Sequence, residues 1–296
     1  MVSPSRTETR FRYLAEAGGV RIAFLFLRLL PVDAASALAG WAFRIFGPLI
    51  PAHQIADRNI RTALPELTAS ERRGVLLAMW NNLGRISGEY VHLKCLAESP
   101  TRVQIDDPEG LFARAASERT GALVLSAHFG NWEIFCLPAC RAGGHQFDIY
   151  RAANNSDVDK VLKHARSELT RGGLIPKGYA AMRESVSRLR KGQHVGMIVD
   201  QKTNEGIPVE FFGRKAMTTR APALLAYRLG CPLFIVMVER IRGARFMIHV
   251  REMKLKRSGN LGKDIERTTR DINAVFEAAI RANPGLWMWV HRRWPD

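Results

Sequence analysis

Short apolar runs alternate with longer amphipathic stretches along most of the chain. A continuous apolar run, such as residues 122–125 or 233–238, predicts a buried strand. Helical spacing of apolar positions, as in 156–171 and 263–282, predicts helices between such strands. Strands that alternate with helices are typical of an α/β domain. We therefore predict an α/β fold with a mixed, largely parallel sheet flanked by helices.

Cap and turn signals set the boundaries of these elements. Thr68 and Glu71 have the spacing of a capping box, which opens a helix that we expect to reach about residue 93. Another helix is expected to begin at Asp107, and a long polar loop is predicted to lead to Thr218. The predicted strands are 103–105, 123–127, 146–150, 174–175, 195–199, 233–238 and 246–250, and the other predicted helices are 54–64, 132–141, 156–171, 180–191, 218–229 and 263–282.

The most apolar part of the chain is its N-terminal region. One apolar run, 22–27, is flanked by Arg21 and Arg28, and a second, 34–50, carries only Arg44. Neither run reaches the roughly 20 uninterrupted apolar residues that a membrane-spanning helix needs. We predict a helical hairpin that lies on or dips into a bilayer, with its arginines among the lipid head groups. A pair of core helices and a single spanning helix are the alternatives.

Composition narrows the class of protein and its partners. The chain has 296 residues, 47% of them hydrophobic, and no low-complexity linker. We predict an N-terminal helical membrane-associating segment over residues 1–55 and one domain over residues 56–296. The net charge of +16 favours anionic partners, such as lipid head groups or an acidic protein. The sequence contains no recognisable nucleic-acid-binding module, so no nucleic-acid partner is expected.

Signals for metal ions and cofactors are missing from the sequence. The four cysteines form no C-x-x-C pair, which indicates free thiols in a reducing compartment rather than a zinc site. No P-loop or G-x-G-x-x-G motif is present. We therefore predict no metal site and no cofactor.

The segment from Ser126 to Glu133 carries the clearest chemical signal. His128 follows a predicted strand, and Glu133 falls in the first turn of the next predicted helix. The intervening glycine and asparagine form a turn that can bring the two side chains together. A carboxylate that holds an imidazole in one tautomer makes a general base. We therefore predict His128 as the base and Glu133 as the acid that orients it.

The motif H-x-x-x-x-[DE] resembles the catalytic motif of the glycerolipid and lysophospholipid acyltransferases. The fuller string from His128 to Glu133, His-Phe-Gly-Asn-Trp-Glu, resembles the branch that adds secondary acyl chains to lipid A. A branch that acylates phosphatidylinositol mannosides is related. The later blocks of the family follow in its order, at 150–151 with 154–155, 196–201, 209–213 and 287–294.

The resemblance implies a membrane-associated acyltransferase. It would move a lauroyl- or myristoyl-type acyl group from an acyl thioester, on acyl carrier protein or coenzyme A, to a hydroxyl of a lipid A precursor. It implies action at the cytoplasmic face of the bacterial inner membrane, as a peripheral or single-span protein, and we expect a monomer. One alternative is acyl-CoA-dependent acylation of another glycolipid or lysophospholipid. The other is a non-catalytic basic protein that binds membrane or nucleic acid.

Further site residues are predicted from their positions after strand ends and from the family resemblance. Arg151 and Asp200 each come just after a predicted strand, and the positions that match them belong to the active site of the family. A buried guanidinium needs a carboxylate or a phosphate as partner, and we expect Arg151 to pair with Asp200. A structural salt bridge outside the chemistry is the alternative role of this pair. Asn131 either donates to a substrate oxygen or caps a helix.

Two cations are candidates for substrate binding. Lys177 could face lipid phosphates, and Arg220 precedes a helix whose free N–H groups could bind an anion. Capping by the preceding threonines explains that second segment equally well. The tryptophan-rich stretch 287–294 suits either a membrane interface or a strand that closes the core. His291, within it, is not predicted to be the base.

Overall fold

The computed structural model describes residues 6–170 and 172–294. The helices are α1 (Arg6–Arg28), α2 (Val32–Phe46), α3 (Ala52–Ala63), α4 (Ala69–Glu89), α5 (Leu93–Ala97), α6 (Leu111–Ser117), α7 (Leu137–Arg141), α8 (Ser156–Ser167), α9 (Tyr179–Arg190), α10 (Ala221–Leu229) and α11 (Leu261–Ala282). The strands are β1 (Val103–Asp106), β2 (Leu123–Ser126), β3 (Gln146–Tyr150), β4 (Leu174–Pro176), β5 (His194–Ile198), β6 (Ile207–Phe211), β7 (Arg214–Thr218), β8 (Leu233–Arg242) and β9 (Arg245–Glu252).

Seven strands form the central sheet, in the order β1-β9-β8-β2-β5-β3-β4. Five neighbouring strands are parallel to one another, namely β8, β2, β5, β3 and β4. Strand β9 runs antiparallel to β8, and β1 is parallel to β9. The prediction of an α/β fold with a mixed, largely parallel sheet flanked by helices is therefore confirmed.

Strand β2 separates two hydrophobic cores. Leu123 and Leu125 face one core, whereas Val124 faces the other, because side chains alternate across a strand. The parallel strands β2, β5, β3 and β4 end at one edge of the sheet. The residues just beyond these ends therefore lie near one another, as the rule for ligand sites in such sheets requires.

Three local predictions differ from the structure. The predicted polar loop before Thr218 contains the hairpin of β6 and β7, whose turn residues Phe212 and Gly213 both have positive φ. The predicted helix over 132–141 is a 3-10 turn, Trp132–Ile134, followed by α7, which begins next to Pro138. The helix expected at Asp107 begins four residues later, because that carboxylate accepts from the backbone N–H groups of its first turn. The capping box of Thr68 and Glu71 is confirmed.

The N-terminal helices have one packed face and one exposed apolar face. Helix α2 packs against α4 through small residues, and Ser36 donates a hydrogen bond to the buried Glu89 at 2.7 Å. Helix α3 runs without a break across the predicted boundary at residue 55. No helix among residues 6–170 and 172–294 is both long and apolar enough to cross a membrane. The exposed large hydrophobic residues of this region are Leu14, Ile22, Leu25, Phe26, Leu29, Leu38, Trp41, Phe43, Ile45, Phe46, Leu49 and Ile50.

Candidate active site

The imidazole of His128 is held by a carboxylate from the neighbouring strand. His128 lies two residues beyond β2, and Asp200 lies two residues beyond its parallel neighbour β5. The His128 Nδ1–H donates to Asp200 Oδ1 at 2.7 Å, and the His128 backbone N–H donates to Asp200 Oδ2 at 3.0 Å. Because Nδ1 carries the proton, Nε2 is unprotonated and keeps the lone pair that a general base requires.

Asp200 is 1% exposed, and all of its hydrogen bonds stabilise the ionised form. The indole N–H of Trp287 donates to Oδ2 at 2.7 Å. Burial would raise the pKa of Asp200, but the charge and hydrogen bonds of His128, together with the Trp287 bond, hold that pKa well below its usual range. The carboxylate is therefore ionised at neutral pH and can stabilise a protonated imidazole.

The backbone conformation and close packing of Gly130 explain why this position of the motif is a glycine. Its φ is +58°, a conformation that glycine adopts without strain. A Cβ atom here would lie 1.6 Å from the carbonyl oxygen of Val238 on β8. The turn after β2 therefore presses against β8, which fixes the direction in which the chain leaves the sheet.

Glu133, predicted to orient His128, has other partners in the structure. It accepts two hydrogen bonds from the Arg166 guanidinium, at 2.6 and 2.8 Å, and one from the Trp132 indole N–H at 2.9 Å. Burial would raise the pKa of Glu133, but the charge and hydrogen bonds of Arg166 lower it. The described contacts connect Glu133 to His128 through Trp132, whose ring lies edge-on to the imidazole with 5.1 Å between the ring centroids. The expectation that Glu133 holds the imidazole directly is wrong, because Asp200 occupies that position.

The expected pair of Arg151 and Asp200 is also not formed. Arg151 is exposed, and its Nη2–H donates to Asn154 Oδ1 at 3.5 Å. The reason is geometric, since the Asp200 oxygens already accept from His128 and Trp287. Arg151 nevertheless lines the same cavity as His128. It is therefore a cation at the mouth of the site, and not a buried partner of Asp200.

The three candidate substrate-binding residues are separated by the structure. Lys177 is exposed and lines the cavity with His128. Asn131 is buried, donates to Glu89 Oε2 at 2.8 Å and accepts from the Glu133 backbone N–H. It is a structural cap, so its expected alternative role as a substrate donor is not supported by its position. Arg220, which directly precedes α10, lines a different pocket, beside β6 and α11.

Two further side chains complete the surroundings of His128. The Gln201 amide N–H donates to His291 Nε2 at 2.8 Å and lies 3.3 Å from His128 Nε2. Burial lowers the pKa of His291 to about 4, and the charges of His128 and Arg151 add to this effect, so the ring is neutral and can accept. Sequence reasoning missed both as site residues. The adjacency of Gln201 to Asp200 was the available signal.

The C-terminal stretch closes the site from one side. The backbone N–H of Met288 donates to the His128 carbonyl oxygen at 3.0 Å, and Phe129 pairs with Trp287 in an antiparallel bridge. Trp287 and Trp289 are 1% and 0% exposed, which identifies this stretch as a part of the core. Of the two alternatives for residues 287–294, the structure agrees with closure of the core.

A cavity of about 300 Å³ opens beside His128. Ligand pockets of proteins begin at about this size. The walls are mixed, and they combine apolar side chains with a few buried polar groups. The lining includes Trp132, Phe135, Ile149, Leu169, Leu174, Met182, Met197, Ile198, Asp148, Arg166 and Thr170. Within the described part of the chain, no group of three or more His, Cys, Asp or Glu side chains could hold a metal ion.

Comparison with known proteins shows the family to which the chain is similar. Residues 6–296 match the family model described as bacterial lipid A biosynthesis acyltransferase. The chain is 23% identical over 257 residues to the lipid A biosynthesis palmitoleoyltransferase of Escherichia coli (strain K12), covering 81% of this chain and 77% of the relative. It is equally similar, over the same shares, to the lipid A biosynthesis acyltransferase of Shigella flexneri.

Proposed function

This chain belongs to the bacterial lipid A biosynthesis acyltransferase family, and we propose that it transfers a fatty acyl group from an acyl thioester to a hydroxyl of a lipid A precursor. The observation that carries the mechanism is the His128–Asp200 pair at the mouth of a partly apolar cavity. Such a cavity suits an acyl chain, and such a pair suits removal of a hydroxyl proton.

In the proposed reaction, His128 Nε2 takes the proton of the acceptor hydroxyl. The hydroxyl oxygen attacks the thioester carbonyl carbon, the carbon–sulfur bond breaks, and the leaving thiolate takes the proton back from Nε2. Asp200 stabilises the imidazolium that exists between these two proton transfers. A thioester is already activated, so the reaction needs no nucleophilic serine or cysteine.

Gln201 is positioned to stabilise the charge that develops on the thioester oxygen. Its amide nitrogen carries two hydrogens, and one of them is fixed on the neutral His291. The second points towards His128 Nε2 at 3.3 Å, a long contact that an arriving substrate can replace. A preorganised donor next to the base is the arrangement that stabilises an oxyanion.

Glu133 is proposed to position Trp132 and Arg166 and to act on His128 through the Trp132 ring. Arg151 and Lys177 are proposed to bind the anionic groups of the substrates, because both line the cavity and are exposed. The proposed donor is acyl carrier protein, since an acidic carrier suits a chain with a net charge of +16. Coenzyme A, whose phosphates are also anionic, is the alternative donor.

The proposed acyl group is of the lauroyl or myristoyl type, whereas palmitoleoyl is the group in the name of the Escherichia coli relative. The proposed location is the cytoplasmic face of the inner membrane, reached as a peripheral monomer. The exposed apolar residues between 14 and 50 support the peripheral attachment.

The test is acyl transfer by the purified protein from lauroyl, myristoyl and palmitoleoyl thioesters of both carriers to a lipid A precursor, followed by mass spectrometry. We expect a mass increase of one acyl chain, and a loss of roughly 10²–10⁴-fold in rate for His128→Ala. His249→Ala is the control, because that histidine lies on β9 between two carboxylates and outside the cavity. Wild-type rates for a folded His128→Ala protein would refute the mechanism.

A further inference from the structure

Asp148 is a buried carboxyl group in the wall of the proposed acyl cavity, and the mechanism does not use it. It is 6% exposed, and its Oδ1 accepts from Gln146 Nε2 at 2.7 Å. An acyl chain of methylene groups offers no hydrogen bond to such a residue. A hydroxyl group on the chain would offer such a bond, so this part of the wall suits a more polar ligand than a plain chain.

The neighbours of Asp148 make this region of the cavity polar. Arg166 lines the cavity and is paired with Glu133, and no ion pair joins it to Asp148 in the described contacts. The positive charge of Arg166 nevertheless lowers the pKa of Asp148. The hydroxyl oxygen of Thr170, another lining residue, is buried and has no hydrogen-bond partner among the residues that the structure describes. A buried acid, a partly buried cation and a buried hydroxyl thus line one cavity, and no described hydrogen bond joins any two of them.

The sequence leaves room for this carboxyl group. Asp148 on β3 pairs with Gly196 on β5, and a Cβ atom at Gly196 would lie 1.9 Å from Asp148 Oδ1. It would also lie 2.8 Å from the Phe135 ring, which lines the cavity. Any larger residue at position 196 would therefore expel the Asp148 carboxyl from its present position.

The strand register gives the depth of this group below the base. Gly196 pairs with Val124 on β2 as well as with Asp148 on β3, so these three residues are level across the sheet. Val124 precedes His128 by four positions, which corresponds to roughly 13 Å along an extended strand. Asp148 therefore lies well below the reacting thioester, alongside the body of a bound acyl chain.

We propose that Asp148, with Arg166 and Thr170, binds a hydroxyl group on the acyl chain of the donor, so that the enzyme prefers hydroxylated acyl thioesters. The proposal rests on the proposed function of the cavity as the acyl site. The hydroxyl donates to the carboxylate and accepts from the guanidinium or from Thr170. The depth of Asp148 assigns the hydroxyl to the middle or far part of the chain, away from the carbonyl carbon.

Protonation does not remove this recognition. Burial raises the pKa of Asp148 to about 7, against the lowering effects of Gln146 and Arg166. Both forms are therefore present at neutral pH, and both can bind a hydroxyl, since the carboxylate accepts and the carboxylic acid donates. A water molecule can occupy this region when no chain is bound. A plain chain would displace that water without replacing its hydrogen bonds, which weakens binding.

The experiment uses lauric acid and its isomers hydroxylated next to the carboxyl, at mid-chain or near the methyl end. Binding of the free acids to the full-length protein is measured by titration, and kcat/KM is measured with the matching acyl carrier protein thioesters. We expect the mid-chain or distal hydroxyl to improve both quantities by roughly 10- to 100-fold over the plain chain. Asp148→Asn should reduce the ratio of the hydroxylated to the plain chain in both quantities. Asp148→Leu should bring this ratio to about one. Asp264→Asn, which changes a buried acid outside the cavity, should leave the ratio intact.

The outcomes separate this proposal from the proposed function. Equal use of plain and hydroxylated chains by an active enzyme overturns the hydroxyl site and leaves acyl transfer standing. A hydroxyl preference in binding without any transfer supports the site and overturns the proposed function. An unchanged ratio in Asp148→Leu, which can form no hydrogen bond, also overturns the hydroxyl site.

Discussion

At the scale of single residues, two acids near His128 have different tasks. Asp200 contacts the imidazole directly, whereas Glu133 contacts Arg166 and Trp132. Loss of the Asp200 charge would free Nδ1 and let the imidazole adopt the other tautomer. Loss of the Glu133 charge would leave the guanidinium of Arg166 without its partner in a mostly buried position.

We therefore expect the variants Asp200→Asn and Glu133→Gln to fail in different ways. Asp200→Asn should lose about 10²–10⁴-fold in kcat while it keeps its free energy of unfolding within roughly 1–2 kcal/mol of the wild type. Glu133→Gln should lose less activity but roughly 3 kcal/mol of stability, because it breaks a buried ion pair. Steady-state kinetics and urea denaturation measure the two quantities. An active Asp200→Asn protein beside an inactive, stable Glu133→Gln protein would return the orienting role to Glu133.

At the scale of elements, helix α1 presents an apolar face to its surroundings. Ile22, Leu25 and Phe26 on α1, with Leu29 directly after its last residue, follow the i, i+3, i+4, i+7 spacing of one helix face, and all four are more than half exposed. Such a contiguous apolar surface marks an interaction site on a soluble domain. The neighbouring arginines at 21 and 28 would suit anionic head groups.

Polar replacement of these four residues should detach the protein from membranes. We expect serine at all four positions to weaken binding to vesicles with anionic lipid by at least roughly 100-fold. Each substitution removes an apolar side chain whose burial in the bilayer would contribute to the binding free energy. High salt should release little of the wild-type protein. Leu261→Ser with Val275→Ser is the control, since these exposed apolar residues lie on α11. Unchanged co-sedimentation of the quadruple variant with vesicles would exclude α1 as the contact.

At the scale of the whole molecule, buried neutral histidines make stability depend on pH. His194 on β5 is 2% exposed, and its Nδ1 accepts from the Ala122 backbone N–H at 3.2 Å. Burial lowers the pKa of His194 to about 4. The unfolded chain binds this proton near pH ~6.5, so the folded state binds fewer protons between these values. The stabilisation is therefore complete above pH ~6.5 and is lost as the pH falls through about 4.

We expect the free energy of unfolding of the wild type to decrease by roughly 3 kcal/mol per such histidine between pH ~6.5 and ~4. His194→Gln cannot titrate, and its glutamine oxygen can still accept a hydrogen bond. The variant should therefore show a shallower decrease over this window. Urea denaturation across a pH series measures both proteins. Parallel curves for the two would show that His194 does not resist protonation in the folded state.

The alternation of strands and helices, the position of His128 after β2 and the capping box of α4 could all be predicted from sequence. Each depends on residues close together along the chain, whose periodicity and turn chemistry are strong local signals. The same holds for the convergence of His128, Arg151 and Asp200 at one edge of the sheet, because parallel strands share that edge.

The pairing of acids with bases at that edge could not be predicted in this way. Asp200 and His128 are 72 residues apart, and their contact depends on β5 lying next to β2. Glu133 meets Arg166 because a 3-10 turn replaces the expected helix and α8 packs nearby. Local patterns specify which face of an element is apolar, but the partner of each polar side chain follows from strand order and packing. Which carboxylate contacts the His128 imidazole is thus decided by the folded chain.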